Sequence, residues 1–430
     1  MFSTRASPWR WWDTPTHWWQ RSSVKTVFPP PERTSTRAIS SASSKPSRNN
    51  WPRSPDRHRR DGGVTIPVEL LIAALWLGPF FLLIRLGSRT PRLADFPPAS
   101  GEPVSVIIPA RNEEANIGTV LESVMASSYD SLEIIVVDDR STDETAAIVR
   151  RCAARDPRIR LVEGEEIPPG WFGKPWACHQ GYRVAKADIL LFTDADTVHG
   201  PELIGHAVGA LHAQAADLVT VAPHQLCLGF WERVIMPQVW ALLGVRYHPR
   251  AVNRSKSSRS MIANGQFIMM PRRSYEALGT HASVKDAVAE DLALAQRTAA
   301  AGRRVFFAFA TELMATRMYR GLGQLVEGWS KNLYLGGRQS LHEYPVQRSL
   351  LPVFFSLVGV FWLAPPALLI VGLVGDVPAL LIGGAVATAL SVLFWALVSV
   401  GMKIPAWYGF LYPLGVVSLM YIAARSILRG

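Results

Sequence analysis

Three groups of carboxylates follow one another along the chain, each placed where acidic side chains can work on a ligand. Asp138-Asp139 close the apolar run EIIVVDD, Asp194-Ala195-Asp196 close ADILLFTDAD, and Glu290-Asp291 open EDLALAQR. The first two end strand-like runs and the third begins a helix-like one. Open α/β sheets hold nucleotides and metal ions just beyond the carboxyl ends of their strands. Two Asp at i and i+2 of a straight strand point to opposite faces, but at a strand end that bends into a turn both can reach one cation, the second through water. Mg2+ and Mn2+ take oxygen ligands, and Mg2+ commonly takes only one or two carboxylates plus substrate phosphates. Asp194 and Asp196 are therefore the expected metal ligands, with small Ala195 leaving room for a diphosphate. Asp138 and Asp139 can accept hydrogen bonds from a base N–H or a ribose hydroxyl; a plain helix N-cap, which Ser141 alone would supply, accounts for one Asp but not for two. Glu290 and Asp291 suit the positive end of a helix macrodipole, and either would also serve to take a proton from an attacking hydroxyl.

The elements that must position these groups alternate along residues 90–348. VSVIIPA precedes a helix with Ile117, Val120, Leu121 and Val124 at i, i+3, i+4 and i+7. EIIVVDD precedes a helix with Ser141 and Glu144 in capping-box spacing. IRLVEG, ADILLFTDAD, LVTVAP, FIMMP, a helix from Glu290 to Ala301 stopped by Gly302, and RVFFAFA complete the series. Strands alternating with helices imply an α/β fold: a mostly parallel, Rossmann-type sheet covered by helices on both faces. PARNEE (Pro109–Glu114) falls at the first strand-to-helix turn, where backbone amides face a nucleotide. Neither G-x-G-x-x-G nor G-x-S-x-G occurs, which removes the dinucleotide fingerprint and the hydrolase elbow. Cys152, Cys178 and Cys227 lack metal-ligand spacing and read as free thiols.

On either side of this block the chain turns apolar. The composition is 49% hydrophobic and 18% charged. Val64–Ile84 is a 21-residue run carrying Glu69 alone, and Leu350–Val374, Val377–Val400 and Ile404–Ala424 follow the block. A span needs about 20 apolar residues, so one membrane helix is expected at 64–89 and three at 349–430. Pro365-Pro366 should kink the first of the three. Arg85, Arg89 and Arg92 follow the first run and Lys403 lies between the last two, which puts the 90–348 block in the cytoplasm of a multi-pass membrane protein. Arg425, Arg429 and the amino-terminal segment then fall on the side that the same rule disfavours. Of the net charge of +11, residues 1–62 hold 12 Lys/Arg against 4 Asp/Glu, or 12 − 4 = +8. Residues 1–63 read as a disordered basic tail with many Trp and Ser, and no nucleic-acid partner is implied. Cys227–Tyr247 and Leu322–Leu335 carry Trp231, Trp240, Trp329 and Tyr334 and suit helices in the membrane interface or extra core helices.

Taken in order, PARNEE, VVDDRSTDET, GKPWA, TDAD, NGQFIMM and AEDLALAQR between membrane helices resemble the family 2 glycosyltransferases of GT-A fold. The pattern is most similar to the membrane-bound branch that includes ceramide, carotenoid and hopene-associated glycosyltransferases, over roughly residues 102–340. That resemblance implies transfer from a nucleotide sugar, a UDP-sugar, to a membrane lipid such as a hopanoid, by inversion. It implies Pro109, Arg111, Glu113, Asp138 and Asp139 around the uridine and Lys174 of GKPWA by the donor. Asp194 and Asp196 would hold Mg2+ or Mn2+, Asp291 with Glu290 would form the base, and Asn264-Gly265 would lie by the sugar or acceptor. The Q/R-x-x-R-W signature of processive and ceramide-type relatives is reduced to Trp329 in Leu325-Val326-Glu327-Gly328-Trp329, with Lys331 as a substitute cation. A nucleotidyltransferase using the same carboxylates, or a membrane scaffold or exporter subunit, are the rival readings. The first lacks a Gly-rich triphosphate loop and the second has no need of three carboxylate groups.

Overall fold

The first apolar run folds as two helices, α1 (Val68–Leu75) and α2 (Leu77–Gly87), which meet at Trp76. Each alone is shorter than a span. Trp76 is buried and stacks on Phe361 at 4.9 Å between ring centroids. The structure is a computed structural model and describes residues 67–87, 90–341 and 344–429; the basic segment 1–63 lies outside them.

Then comes the α/β block. Its first half runs β1 (Val104–Ala110), α3 (Ile117–Met125), β2 (Leu132–Asp138), α4 (Thr145–Ala153), β3 (Ile159–Glu163), α5 (Gly173–Val184) and β4 (Ile189–Phe192). After it come β5 (Thr197–His199), α6 (Leu203–Ala213), β6 (Leu218–Ala222), β7 (His224–Gln225), α7 (Phe230–Arg246) and α8 (Pro249–Arg254). The block closes with β8 (Ile268–Pro271), α9 (Arg272–Ala277), α10 (Glu290–Ala300), β9 (Val305–Phe309) and β10 (Met314–Thr316). Val106 and Ile108 of β1 face α3, α4 and α6, while Ile107 between them joins Ile135, Val137 and residues of α5 and α10 on the other face. Both faces of the strand are buried, so its sequence is apolar on both instead of alternating, apart from Ser105, whose buried hydroxyl donates to the Glu133 carboxylate.

Seven strands form the main sheet in the order β3-β2-β1-β4-β8-β6-β9. β1 pairs in parallel with β2 and β4, β2 with β3, and β6 with β9. β8 alone runs antiparallel, between β4 and β6. The expected mostly parallel sheet between helix layers is therefore present. Its strand order reverses at β1, where the chain leaves β3 and returns to β4, and this opens a crevice at the carboxyl edge. Because β8 is reversed, its amino end, not its carboxyl end, lies on that edge. Three short strands make a second sheet, β5-β10-β7.

Two helices then lead away: α11 (Leu322–Ser340) and α12 (Pro345–Ser349). They are followed by α13 (Leu351–Val374), α14 (Pro378–Gly401) and α15 (Tyr412–Arg429). Leu351–Val374, Pro378–Gly401 and Ala406–Arg429 are each long and apolar enough to cross a membrane. α13 continues as helix through Pro365 and Pro366. Leu357, Val360, Ile370 and Leu373 on it are each more than half exposed, an apolar surface that water does not favour. Val234, Ile235 and Val239 of α7 and Leu325 and Trp329 of α11 share a cluster with Leu419 and Ile422 of α15. Both Trp-bearing segments of the block are thus packed between the sheet domain and the carboxyl-terminal helices.

Candidate active site

The turns after β1 and β2 are stitched into one edge. Asn112 N–H donates to Ser141 Oγ at 2.9 Å, and Thr142 N–H to Asn112 Oδ1 at 2.8 Å. Glu113 N–H donates to Thr145 Oγ1 at 2.8 Å and Glu114 N–H to Asp143 at 3.1 Å. Asn112 and Arg140 both take φ of 56°, a left-handed conformation that Asn tolerates better than most residues. Ser141 is not a helix cap as its spacing with Glu144 suggests. α4 begins at Thr145, after a turn whose polar groups are spent on the neighbouring loop.

Asp139 is buried at the base of this edge and is approached by Arg111 at 3.5 Å and by Arg140 at 3.3 Å. Pro109 lies in β1 in register with Val137. Asp138 ends β2 and is also buried. Gly173, the first residue of α5, covers Asp139: a Cβ built there would sit 3.0 Å from Asp139 Oδ2. Lys174 follows, so this edge and the lysine are adjacent in the fold although 35 residues apart in sequence from Asp139 to Lys174.

Lys174 joins two of the acidic groups. Its Nζ lies 2.8 Å from Asp194 Oδ1 and 2.9 Å from Glu290 Oε1. Burial works against its charge, but Asp194, Glu290 and Asp291 together raise its pKa well above the ordinary value. Glu290 responds in the opposite sense: burial opposes its ionisation, Lys174 outweighs burial, and its pKa is lowered. Asp194 and Asp196 occupy the bend between β4 and β5. Burial raises Asp194 against the pull of Lys174, and burial with the charges of Asp194 and Glu113 pushes Asp196 up to about 7. Asp196 Oδ1 is buried without a hydrogen-bond partner. Such an atom is costly unless something coordinates it, and a divalent cation suits it. Among the described residues no set of three or more Asp, Glu, His or Cys converges on one point. Asp194 and Asp196 would then be the protein's share of a cation whose other ligands come from a diphosphate.

Asp291 faces the turn before β8. Its Oδ2 accepts from Gly265 N–H at 2.8 Å and its Oδ1 from Leu292 N–H at 2.7 Å. Burial and the neighbouring charge of Glu290 push its pKa up to about 6, with Lys174 pulling the other way. The reversed direction of β8 is what brings this turn in: Phe192 pairs with Ile268, and Thr193 Oγ1 donates to Gln266 O at 2.8 Å. Asn264 is held by Val221 O and Gln266 Oε1, both at 3.1 Å.

Several residues at the site gave no sequence signal. Tyr319 is pushed up to about 12 by burial and by Asp196, which places its ring beside the acidic bend. A Cβ on Gly328 would lie 2.5 Å from the Tyr319 ring, so α11 packs directly against it. Thr316 Oγ1 donates to Asp196 O at 3.2 Å, and Arg320 Nη2 to Asn116 Oδ1 at 2.7 Å. Lys331, the expected substitute cation, is exposed and acts on Glu327 one helical turn away. Trp329 is buried in the cluster with α7 and α15, its ring centroid 6.2 Å from that of Tyr319.

Residues 105–279 match the family model described as glycosyl transferase family 2. A 4,4'-diaponeurosporenoate glycosyltransferase of Staphylococcus aureus (strain MRSA252) is 31% identical over 240 residues, 54% of this chain and 61% of its own. Its namesake from Staphylococcus haemolyticus (strain JCSC1435) is 29% identical over 239 residues, with the same coverage. The chain thus spans about three fifths of the length of these curated relatives. Among solved structures, a mannosyltransferase from Pyrobaculum calidifontis in complex with GDP-Man and Mn2+ is similar at a TM-score of 0.49 and 20% identity. That similarity covers 84% of this chain and 98% of the other.

Proposed function

We propose that this chain, whose residues 105–279 are a family 2 glycosyltransferase domain, moves a sugar from a nucleotide sugar to a membrane lipid with inversion at the anomeric carbon. One observation carries the reading. Lys174 spans the acidic bend and the start of α10, so Asp194 and Glu290 meet one ammonium and Asp291 follows directly. The diphosphate of a sugar donor and the proton of the attacking hydroxyl are then served from a single crevice. The edge stitched by Asn112, Ser141 and Thr142, with Asp139 below it, takes the nucleoside, a uridine by the likeness of its motif.

Asp291 is the general base. The acceptor hydroxyl gives its proton to the Asp291 carboxylate as its oxygen bonds to the anomeric carbon, and the bond from that carbon to the diphosphate oxygen breaks. A pKa of about 6 leaves Asp291 ionised at neutral pH yet basic enough to accept a proton. The two hydrogen bonds from Gly265 and Leu292 fix its plane. Mg2+ or Mn2+ at Asp194 and Asp196, when bound, supplies Lewis-acid neutralisation of the departing diphosphate. Lys174 adds a fixed positive charge on the same side.

A lipid acceptor is supported by an apolar cavity of about 580 Å³ between α2, α7, α13, α14 and α15. Trp240, Trp362 and Trp395 line it, with Gln238 as one of the few polar groups. The curated relatives are named for a carotenoid acid, which has the same apolar character as the hopanoid alternative. In this reading the domain faces the cytoplasm of a multi-pass membrane protein, which the run of Arg85 in the last turns of α2, Arg89 and Arg92 supports. Asp291→Asn tests the reading. Transfer should fall by about a hundredfold or more, while metal-dependent binding of a UDP-sugar persists; transfer at the native rate removes the base assignment.

A further inference from the structure

The N-cap residue of α10 supplies no cap. Its N-cap residue is Ala289, which has no side-chain acceptor, and Leu292 three residues on cannot close a capping box. A helix start left in this state has unsatisfied amides and frays. Within α10 the Asp291 carboxylate meets Leu292 N–H, and the partner of Ala289 N–H comes from another element. Gln339, in the last turn of α11, accepts from Ala289 N–H at 3.3 Å through Oε1 and donates to Ala289 O at 2.8 Å through Nε2. Its carboxamide thus pairs with both backbone groups of the residue that immediately precedes Glu290 and Asp291.

The helix that carries Gln339 is itself fixed along its length. Arg320, just before it, is bonded to Asn116 on the nucleotide side. Tyr334 N–H donates to Ser426 Oγ of α15 at 2.9 Å, and Glu327 pairs with Arg425 at 3.0 Å and Arg429 at 2.7 Å. A strut anchored at its start and in its middle can hold its end at a set distance from the crevice. Ala289 is where that end acts.

We infer that Gln339 is a positioning residue for the transfer reaction: its side-chain amide clamps the Ala289 backbone and thereby sets where Glu290 and Asp291 stand. The inference rests on Asp291 being the base. Both hydrogen bonds of the Gln339 side chain go to Ala289 and neither to the acidic bend or the Asn112–Ser141 edge, so it should govern the chemical step and not the binding of the nucleotide. A base misplaced by about 1 Å costs up to about a hundredfold in rate.

The experiment uses the full chain in detergent, with UDP as the binding probe in the presence of Mn2+ and with transfer to a lipid acceptor as the rate. Gln339→Met keeps the length and removes both hydrogen bonds; Gln339→Glu keeps the acceptor half. The expected result is a kcat lower by about ten- to a hundredfold in Gln339→Met, with UDP affinity within about twofold of native. Gln339→Glu should fall between Gln339→Met and the native chain. Native kcat in Gln339→Met overturns the inference. Parallel loss of UDP affinity and kcat in both variants also overturns it, because Gln339 would then support the whole domain. Asp291→Asn is measured alongside: if it transfers at the native rate the base reading fails, whereas Gln339 alone is refuted if only its variants behave as native.

Discussion

Lys174 sets how the acidic residues around it share charge, and the consequence is a pH dependence with a definite sign. Asp291 stands at about 6, above the ordinary Asp value, through burial first and the Glu290 charge second. Its base form is present above that pH and is lost as pH falls through it, so kcat should decline on the acid side of about pH 6. Lys174 lowers the Asp291 pKa. Lys174→Met should therefore move the acid limb to higher pH as well as lowering the rate, seen in a kcat–pH profile; a limb that stays put contradicts the assigned electrostatics. Gly265 is constrained for a different reason. A Cβ there would sit 2.8 Å from Lys174 Nζ and 3.2 Å from Asp291 Oδ2. Gly265→Ala should cost about tenfold in kcat by displacing both groups, with an unchanged circular-dichroism spectrum.

At the scale of elements, the stitched edge between β1 and β2 predicts a separable effect. Ser141→Ala removes the acceptor of the Asn112 amide and should weaken the loop by about 1 kcal/mol. The donor KM should rise several-fold with kcat nearly native; a fall in kcat alone would contradict a nucleotide-side role. The strands bearing this edge are plain in the sequence, because runs such as VSVIIPA and EIIVVD must be apolar when covered on both faces. Gly302 marks the end of α10 with φ of +71°, as its position suggests. The direction of β8 is not legible, since FIMMP has the same composition whichever way it runs. β5, β7 and β10 are two or three residues long, too short for any periodicity to register. Tyr319 and Gln339 escaped for another reason. Each acts across the fold, on groups more than 40 residues away in the chain.

For the whole molecule, the apolar cavity and the crevice are expected to serve one lipid. Gly244 lines the cavity, and nothing lies within 4 Å of a Cβ built on it. Gly244→Trp should fill that space without moving the backbone, raising the KM for the lipid acceptor while the donor KM holds. Unchanged acceptor kinetics would remove the cavity from the pathway. The carboxyl-terminal helices were legible as uncharged runs, whereas the division of the first run at Trp76 is signalled only by Gly78-Pro79 just beyond it, where Pro79 has no N–H to donate to Leu75 O.

The reversed strand in the sheet also divides the enzyme's adaptability. The edge proposed for the nucleoside comes from loops following the parallel strands β1 and β2, whereas the Asn264–Gln266 turn enters through β8, held by pairings such as Phe192 with Ile268. Inserting one residue ahead of Ile268 would turn that segment's side chains over yet leave the β1 and β2 loops untouched. On the proposed assignment, descendants of such a scaffold would exchange what receives the carbohydrate without relearning how to hold its activated carrier.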